Sequence, residues 1–385
     1  MKVIITGGAG FLGQQLAAAL LKNNQGLKFN QLILVDIQCP TSPIEDPRVS
    51  CIALDLTQSG AADKLIDAET DVIFHLAAIV SSHAESDFDL GMKVNFEATR
   101  QLLEVARAKN PAIKFLFTSS LAVFGGELPD VITDLCVVNP QSSYGAQKAM
   151  CELMVNDYSR KGYVDGRVMR LPTISIRPGV PNKAASSFAS GIIREPLNGI
   201  ESVCPVSPNL ALWLSSPETV ISNFIHAVSI PAQQFGQSRT VNLPGITVTV
   251  QDMIDALRDV AGQKAVDLIR FEPDEAINRI VASWPGKFDI TRALSLGFRA
   301  DGSFSDGSVR SLSIMARPNR RLNNVLYSYY WPSGGHICPY FLSITYACTR
   351  TVSDVDRCSH CWDFGGINGC GNGYRDYKGF WFNSW

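Results

Sequence analysis

The chain has almost no surplus of charge and no long apolar run. Its 34 lysines and arginines face 36 acidic residues, a formal net charge of -2, and no basic stripe stands out, so nothing predicts a nucleic-acid partner. No apolar run approaches the roughly 18 residues that a membrane helix needs. We also expect no signal peptide, since Met1-Lys2 leads straight into the first predicted strand. We therefore expect a cytoplasmic protein that binds neither nucleic acid nor membrane.

Cysteine is sparse along most of the chain and crowded at its end. Five of the ten cysteines lie in the last fifty residues, where lysine nearly vanishes and no helical or strand periodicity persists. Only one C-x-x-C pair is present there, Cys358 with Cys361, and no second ligand pair stands at the usual spacing, so we predict no metal site. From about Leu312 we interpret the sequence as an atypical Cys/aromatic-rich tail. It is either an extension foreign to the fold, such as a shifted reading frame, or a real accessory segment.

What is present begins with a strand, a glycine turn and a helix. An apolar, β-branched run leads into a glycine turn, and Phe11 and Leu12 open an Ala/Leu-rich helix. The turn fits the dinucleotide fingerprint as Gly8-x-Gly10-x-x-Gly13 and a looser variant as Gly7-x-x-Gly10-x-x-Gly13 equally well. Such a turn lets a diphosphate approach the backbone without an intervening Cβ, and it places the helix N-terminus against the anion. The motif is weak alone, but its strand-to-helix context strengthens it. It predicts a bound dinucleotide.

A carboxylate, Asp36, ends the second predicted strand, twenty-three residues after Gly13. There it can accept hydrogen bonds from both ribose hydroxyls of adenosine, and it would repel a 2′-phosphate, so NAD is favoured over NADP. Asp55 and Leu56 follow the third strand, where they can reach the adenine edge. His75 ends the fourth strand, and we interpret it as a packed core histidine without a chemical role.

Apolar runs and helical periods alternate through the first half of the chain. After the first strand, further strands are predicted at residues 31–36, 49–55, 71–78, 114–120 and 166–171, with helices between them that include 94–108 and 144–158. This alternation is typical of an α/β fold with a doubly wound parallel sheet, the Rossmann fold, whose ligands lie at the carboxyl ends of the strands.

The pattern loosens after residue 171. Helices are predicted at 217–230 and 249–261, and a strand at 240–243. We predict three regions: an NAD-binding Rossmann domain over 1–171, a smaller substrate-binding lobe over 172–311 that is partly threaded back to the sheet, and the tail over 312–385.

Ser120, Tyr144 and Lys148 form the predicted catalytic group. Tyr144 and Lys148 stand four residues apart on one helix, so both project from the same face. The ordinary pKa of tyrosine, about 10, is too high for a base at neutral pH; a nearby ammonium and the positive nicotinamide ring would lower it. Ser120, at the carboxyl end of the fifth strand, can hydrogen-bond the same substrate oxygen. The group suits proton removal from an alcohol while hydride leaves for NAD.

Together these motifs resemble the extended short-chain dehydrogenase/reductases, which include NAD-dependent sugar epimerases and dehydratases. The resemblance covers about residues 1–310, and Phe124 is a mild departure where a tyrosine is common. It implies the catalytic roles just given and allows a homodimer. It also implies NAD contacts for Ala77, Asn95, Tyr144 and Lys148.

The segment from Arg170 to Leu197 is similar, more narrowly, to D-erythronate dehydrogenases. This resemblance implies oxidation of the C2 hydroxyl of a short sugar acid, D-erythronate to 2-keto-D-erythronate, with Tyr144 as the base. A carboxylate substrate requires cations and hydroxyls near the nicotinamide. Arg177 and Lys183 supply the cations, and Ser81, just beyond the fourth strand, can line the same pocket.

Two other functions stay open. A nucleotide-sugar 4-epimerase would share the cofactor residues and need a wider pocket. A non-catalytic NAD-binding protein would have no need for Ser120, Tyr144 and Lys148 together. A 4,6-dehydratase is disfavoured, because Leu121-Ala122 follow Ser120 where such enzymes would have Asp-Glu.

Overall fold

The structure, a computed structural model, describes residues 1–22, 27–179 and 184–305. Twelve strands lie in this part of the chain: β1 Lys2–Thr6, β2 Gln31–Asp36, β3 Val49–Ala53, β4 Thr70–His75, β5 Lys114–Ser120, β6 Asp165–Leu171, β7 Thr173–Ile174, β8 Ser202–Cys204, β9 Ala211–Ser215, β10 Thr240–Asn242, β11 Ile246–Thr249 and β12 Ile269–Phe271.

Twelve α-helices accompany them in the same described ranges. They are α1 Phe11–Leu21, α2 Ala61–Leu65, α3 Ser81–Ser86, α4 Phe88–Gly91, α5 Ala98–Lys109, α6 Ser143–Arg160, α7 Phe188–Leu197, α8 Pro217–Ser229, α9 Val250–Ala261, α10 Gln263–Val266, α11 Glu275–Ala282 and α12 Thr291–Ser295. A π-helical segment, Met92–Glu97, joins α4 to α5. No helix of the described ranges is long and apolar enough to cross a membrane.

Seven of the strands form one parallel sheet in the order β10-β6-β5-β4-β1-β2-β3. Helices α1 and α8 pack on one face, and α2, α5 and α6 pack on the other. Strand order reverses at β1, which pairs with β2 on one side and β4 on the other. The predicted doubly wound fold is confirmed, and the glycine turn lies where ligands of such sheets bind.

A smaller lobe follows β6. Strands β7, β9 and β11 form a three-stranded sheet, and β8 pairs with β12. Its apolar core is built mainly from α7, α9 and the strands around them. The chain returns to the main sheet twice within this region, because α8 packs against α1 and β10 pairs with β6. The proposed limit at residue 311 and the tail over 312–385 lie outside the described residues.

Candidate active site

The turn after β1 has room for glycine alone at two positions. Gly7 has a φ of +72°, and a Cβ there would lie 2.8 Å from the amide nitrogen of Ala77. A Cβ on Gly13 would lie 2.2 Å from the carbonyl oxygen of Gly7. Strand and helix therefore approach too closely for a larger residue, which is the geometry that a diphosphate-binding turn requires.

The first turn of α1 is open to an anion. The helix begins after Gly10 without a side-chain cap and without an acidic residue in its first turn. The amides of Phe11 and Leu12 precede the first helical hydrogen bond, from Gln14 to Gly10, so they remain available to a ligand at the positive end of the helix.

Substitution of Gly13 tests this part of the site. We expect Gly13→Ala to weaken NAD binding about 10-fold or more, because the added methyl overpacks the turn and displaces it. Gly302→Ala is the matched control, since a Cβ at Gly302 meets no atom within 4 Å. Titration of each folded variant with NAD measures the effect. Wild-type affinity in Gly13→Ala would contradict the role of the turn.

Asp36 lies at the end of β2, beside the glycine turn. One carboxylate oxygen accepts a hydrogen bond from the amide of Ala9 at 3.1 Å, and the other from the amide of Ile37 at 2.7 Å. Asp55 lies after the neighbouring strand β3, and its carboxylate accepts from Thr57 and Gln58 within its own turn. Both carboxylates therefore stand at one edge of the sheet, and each also stabilises the local backbone. Leu56 is half-buried next to Asp55.

The start of α6 places Tyr144 and Lys148. Ser142 caps the helix by accepting from the amide of Gly145 at 3.2 Å. The carboxylate of Glu85, on α3, accepts from the amide of Ser143 at 2.8 Å. A carboxylate and a hydroxyl at the positive end of a helix both stabilise it. The helix thus begins one residue before Tyr144, and Lys148 follows one turn later on the same face, as predicted.

Ser120 and Lys148 meet Tyr144 at the carboxyl end of β5. Ser120 forms a hydrogen bond with Tyr144, and its Oγ also accepts from the amide of Ala122 at 3.1 Å. Lys148 Nζ donates to the carbonyl oxygen of Thr118 at 2.8 Å and lies 5.7 Å from the centroid of the Tyr144 ring. The three residues line one pocket of about 210 Å³.

Burial dominates the electrostatics of this group. It raises the pKa of Tyr144 to about 12, against a smaller lowering by the hydrogen bond from Ser120. Burial also lowers the pKa of Lys148 to about 8. The protein alone therefore does not lower the tyrosine pKa, contrary to part of our expectation. A lowering of this pKa would have to come from the positive nicotinamide ring of a bound cofactor.

The comparisons with known proteins agree with this geometry. The sequence model of the NAD dependent epimerase/dehydratase family matches residues 3–209. The chain belongs to this family. Its cofactor is NAD.

Two relatives and one solved structure extend over most of the chain. A D-erythronate dehydrogenase of Haemophilus influenzae is 58% identical over 306 residues, 80% of this chain and 97% of the relative. A D-erythronate dehydrogenase of Cupriavidus necator is 49% identical, over 80% of this chain and 96% of the relative. The crystal structure titled nucleoside-diphosphate-sugar epimerase from Agrobacterium tumefaciens is 43% identical with a TM-score of 0.77, over 83% of this chain and 95% of that one.

The residues of this family member fit NAD. The turn from Gly7 to Gly13 and the uncapped start of α1 suit the diphosphate. Asp36 stands where the adenosine ribose is bound in such folds. Lys148 is a buried cation in the pocket next to Tyr144, on the side of the sheet where the nicotinamide end is expected.

The NAD contact of Asn95 stays a prediction, and its side chain is used within the protein. Asn95 does not line the pocket: its side chain accepts from the amide of Ile79 at 2.8 Å and donates to the carbonyl of Ile79 and to Gln147. Asn95 is 1% exposed, so a direct NAD contact is not supported. It holds the loop after β4, whose Ala78 and Val80 do line the pocket. The resemblance indicated the position but not the direction of the side chain.

His75 is the packed core residue that we expected. Its Nδ1 lies 2.7 Å from the hydroxyl of Thr6, and its Nε2 lies 2.8 Å from the hydroxyl of Thr99. Burial lowers its pKa to about 3, so it is neutral at physiological pH. Both nitrogens are used within the core. No group of three or more His, Cys, Asp or Glu in the described ranges could hold a metal ion.

The predicted substrate residues come together only in part. Ser81 and Arg177 line the pocket with the catalytic group, whereas Lys183 lies outside the described residues. Ser81 is buried and accepts from the amide of Ala185, so it also orders the pocket wall.

Several lining residues were not predicted as site residues from the sequence, Thr173 and Trp284 among them. Thr173 follows the end of β6, where position alone could have indicated it. Trp284 follows α11, far along the chain, and nothing local in the sequence connects it with the site.

Proposed function

We propose that this chain is an NAD-dependent D-erythronate dehydrogenase. It would oxidise the C2 hydroxyl of the acid to a ketone, giving 2-keto-D-erythronate, NADH and a proton. The two relatives at 58% and 49% identity carry this name and are covered almost completely. The shape and charge of the pocket support the same substrate class.

Arg177 is the observation that carries the proposal. It is half-buried and lines the pocket with Ser120 and Tyr144. Its backbone amide donates to Ser190, but the described part of the chain offers its guanidinium no hydrogen bond or ion pair. Burial, together with the nearby Arg194, lowers its pKa. No guanidinium nitrogen of Arg177 is among the buried atoms of the described residues that lack a partner, so the group is open to the pocket. There a carboxylate can bind it bidentately. The carboxylate of a short sugar acid would be such a ligand.

The catalytic residues then act on the hydroxyl next to that carboxylate. Tyr144 removes the hydroxyl proton, and Ser120 hydrogen-bonds the same oxygen. The ammonium of Lys148 favours the phenolate form of Tyr144. Bound NAD supplies the acceptor for the hydride that leaves the carbon. Proton and hydride removal together convert the alcohol to the ketone.

A nucleotide-sugar epimerase is the second candidate, because the solved relative at 43% identity is titled as such. Its substrate would have to place a nucleoside diphosphate next to the sugar. The pocket measures about 210 Å³, below the roughly 300–1,000 Å³ that sites for drug-sized ligands occupy. Trp284 and Arg177 lie in its walls. The pocket therefore favours a small acid.

NAD reduction separates the two candidates. We expect NADH to accumulate when the full-length protein is mixed with NAD and D-erythronate, and not with NAD and UDP-glucose. The rates of NADH formation with four- to six-carbon aldonic acids show which acid is the best substrate. The four-carbon polyol erythritol is the uncharged control. Conversion of the sugar nucleotide without net NADH, and no reaction with the acids, would contradict the proposal.

We also propose that the enzyme acts in the cytoplasm, as a homodimer, with its domains divided at residues 171 and 311. Helix α6 supports the dimer, because it leaves the side chains of Met150 and Leu153 exposed at 37% and 68%. Large apolar groups in water on one helix face are typical of contact surfaces.

A further inference from the structure

A buried ion pair lies directly behind the catalytic group. The guanidinium of Arg170, on β6, donates to both carboxylate oxygens of Glu152, on α6, with Nε–Oε1 at 2.9 Å and Nη2–Oε2 at 2.7 Å. The hydroxyl of Ser119, on β5, donates to the same carboxylate. Glu152 is 3% exposed and Arg170 is 8% exposed. Two charges are thus kept out of water in a bidentate arrangement.

This pair connects the elements that carry the catalytic residues. Glu152 lies one helical turn after Lys148 and two turns after Tyr144 on α6. Ser119 immediately precedes Ser120 on β5, and it stands opposite Arg170 in the register of β5 and β6. A shift of α6 along the sheet that separated Tyr144 from Ser120 would therefore also break the bonds of Glu152.

Arg170 is also held by residues other than Glu152. Arg170 Nη1 lies 3.4 Å from the amide oxygen of Asn242, on β10, and its guanidinium lies 4.7 Å from the centroid of the Phe124 ring. Asn242 in turn donates to Asp134, which pairs with Arg292. The position of Arg170 is thus determined by residues that have no contact with the pocket.

We propose that Glu152, held by Arg170, is a positioning residue for hydride transfer: it fixes α6 against β5 and keeps a negative charge behind Lys148. The proposal rests on the proposed function only in that it assumes turnover by Tyr144 and Lys148. Neither Glu152 nor Arg170 lines the pocket, so both act through the residues in front of them.

The charge of Glu152 has a defined effect on Lys148. On α6, Lys148 faces Tyr144, Cys151 and Glu152, of which the last two favour the ammonium and raise its pKa against the larger lowering by burial. From β5 it faces the carbonyl of Thr118 and the ring of Phe117. From β4 it faces His75, which is neutral. A neutral residue at 152 therefore lowers the pKa of Lys148, so the ammonium is lost at a lower pH than in the wild type.

A second ion pair on β6, of a buried arginine with a half-buried aspartate, provides a matched control. Arg167 is fully buried and pairs with Asp165 at 2.9 Å. Its other nitrogens donate to the carbonyls of Ala227 and Ile230, at the C-terminal end of α8. On β6, Arg167 lies three residues before Arg170 and Asp165 five, about 10 and 16 Å further back along the strand. This pair stabilises the fold without contact with α6 or β5 side chains of the site.

The test uses Glu152→Gln and Asp165→Asn in the full-length protein. We expect Glu152→Gln to lower kcat for D-erythronate about 10- to 100-fold, because small misplacement of reacting groups costs this much. We expect its high-pH limit of activity to move down by about one pH unit. NAD affinity should stay near the wild-type value. Asp165→Asn should lower the melting temperature but leave the pH profile unchanged.

Glu152→Gln leaves the buried charge of Arg170 unpaired, so this variant could misfold. A double variant keeps the proposal testable in that case. In Glu152→Gln/Arg170→Gln both charges of the pair are removed, so neither partner is left as an unpaired buried charge. The proposal is supported if the double variant folds as the wild type does but still has a low kcat and a lowered high-pH limit of activity. Recovery of wild-type kcat and pH profile would show that the pair is only structural and would overturn it, as would equal profile shifts in Glu152→Gln and Asp165→Asn. Wild-type protein without activity on any aldonic acid contradicts the proposed function instead; the variant ratios are then measured on UDP-glucose conversion.

Discussion

Tyr144→Phe is expected to reduce D-erythronate oxidation by about 10²- to 10⁴-fold, the range that a single general acid–base group contributes. The phenyl ring keeps the shape of the side chain and removes only the hydroxyl that hydrogen-bonds Ser120. NAD affinity should change little, because the glycine turn and Asp36 lie at the other end of the cofactor site. Steady-state NADH formation and NAD titration measure the two effects separately.

The pH dependence of the wild type adds a second readout. Burial raises the pKa of Tyr144 to about 12 in the protein alone, so the phenolate is scarce at neutral pH unless bound NAD lowers that pKa. The rate of oxidation should therefore rise with pH as the phenolate forms, until loss of the Lys148 ammonium limits it. The residual activity of Tyr144→Phe should lack the rising limb.

Tyr163→Phe controls for the loss of a tyrosine hydroxyl. Tyr163 lies beyond the end of α6, where its ring packs against Tyr158 and Arg107, and it is not part of the pocket wall. Its variant should keep the wild-type rate. Substantial activity in Tyr144→Phe with an unchanged pH profile would mean that another group is the base.

The main sheet could be predicted from the sequence because its strands are buried on both faces. Such strands appear as continuous apolar runs, and β5 was predicted at 114–120, where the structure has Lys114–Ser120. Strand β3 ends two residues earlier than predicted, since Asp55 starts a turn by accepting from the amide of Thr57. The π-helical segment Met92–Glu97 was missed, because its side-chain periodicity differs little from that of an α-helix over six residues.

The candidate site could be predicted where local rules place the residues. Tyr144 and Lys148 share a helix face through their spacing, and Ser120 reaches them because the carboxyl ends of parallel strands meet at one edge. Asn95 and Trp284 depend on tertiary packing. The former points to Ile79 rather than to the pocket, and the latter arrives from a distant loop. Neither the orientation of the Asn95 side chain nor the arrival of Trp284 at the pocket can be predicted from neighbouring residues in the sequence.

Arg177→Met should lower kcat/KM for D-erythronate and leave the stability of the fold unchanged. An arginine that is paired within the protein would show the opposite pattern. Loss of a charged hydrogen-bonding partner of the substrate costs about 1.5–3 kcal/mol, or roughly 10- to 150-fold in kcat/KM for D-erythronate. The guanidinium has no partner in the described part of the chain, so its removal leaves no protein group unpaired. The melting temperature should stay the same or rise.

Arg239→Met is the matched control for this last experiment. Arg239 is also largely buried, with 18% of its side chain exposed, but it pairs with Asp165 at 3.0 Å and lies away from the pocket. Its variant should lose stability and keep the wild-type KM. Comparison of D-erythronate with uncharged erythritol then identifies the partner of Arg177. If Arg177 binds the carboxylate, Arg177→Met loses most of the preference for the acid; an unchanged preference together with a lower melting temperature would make Arg177 a structural residue and remove the main support for a sugar-acid substrate.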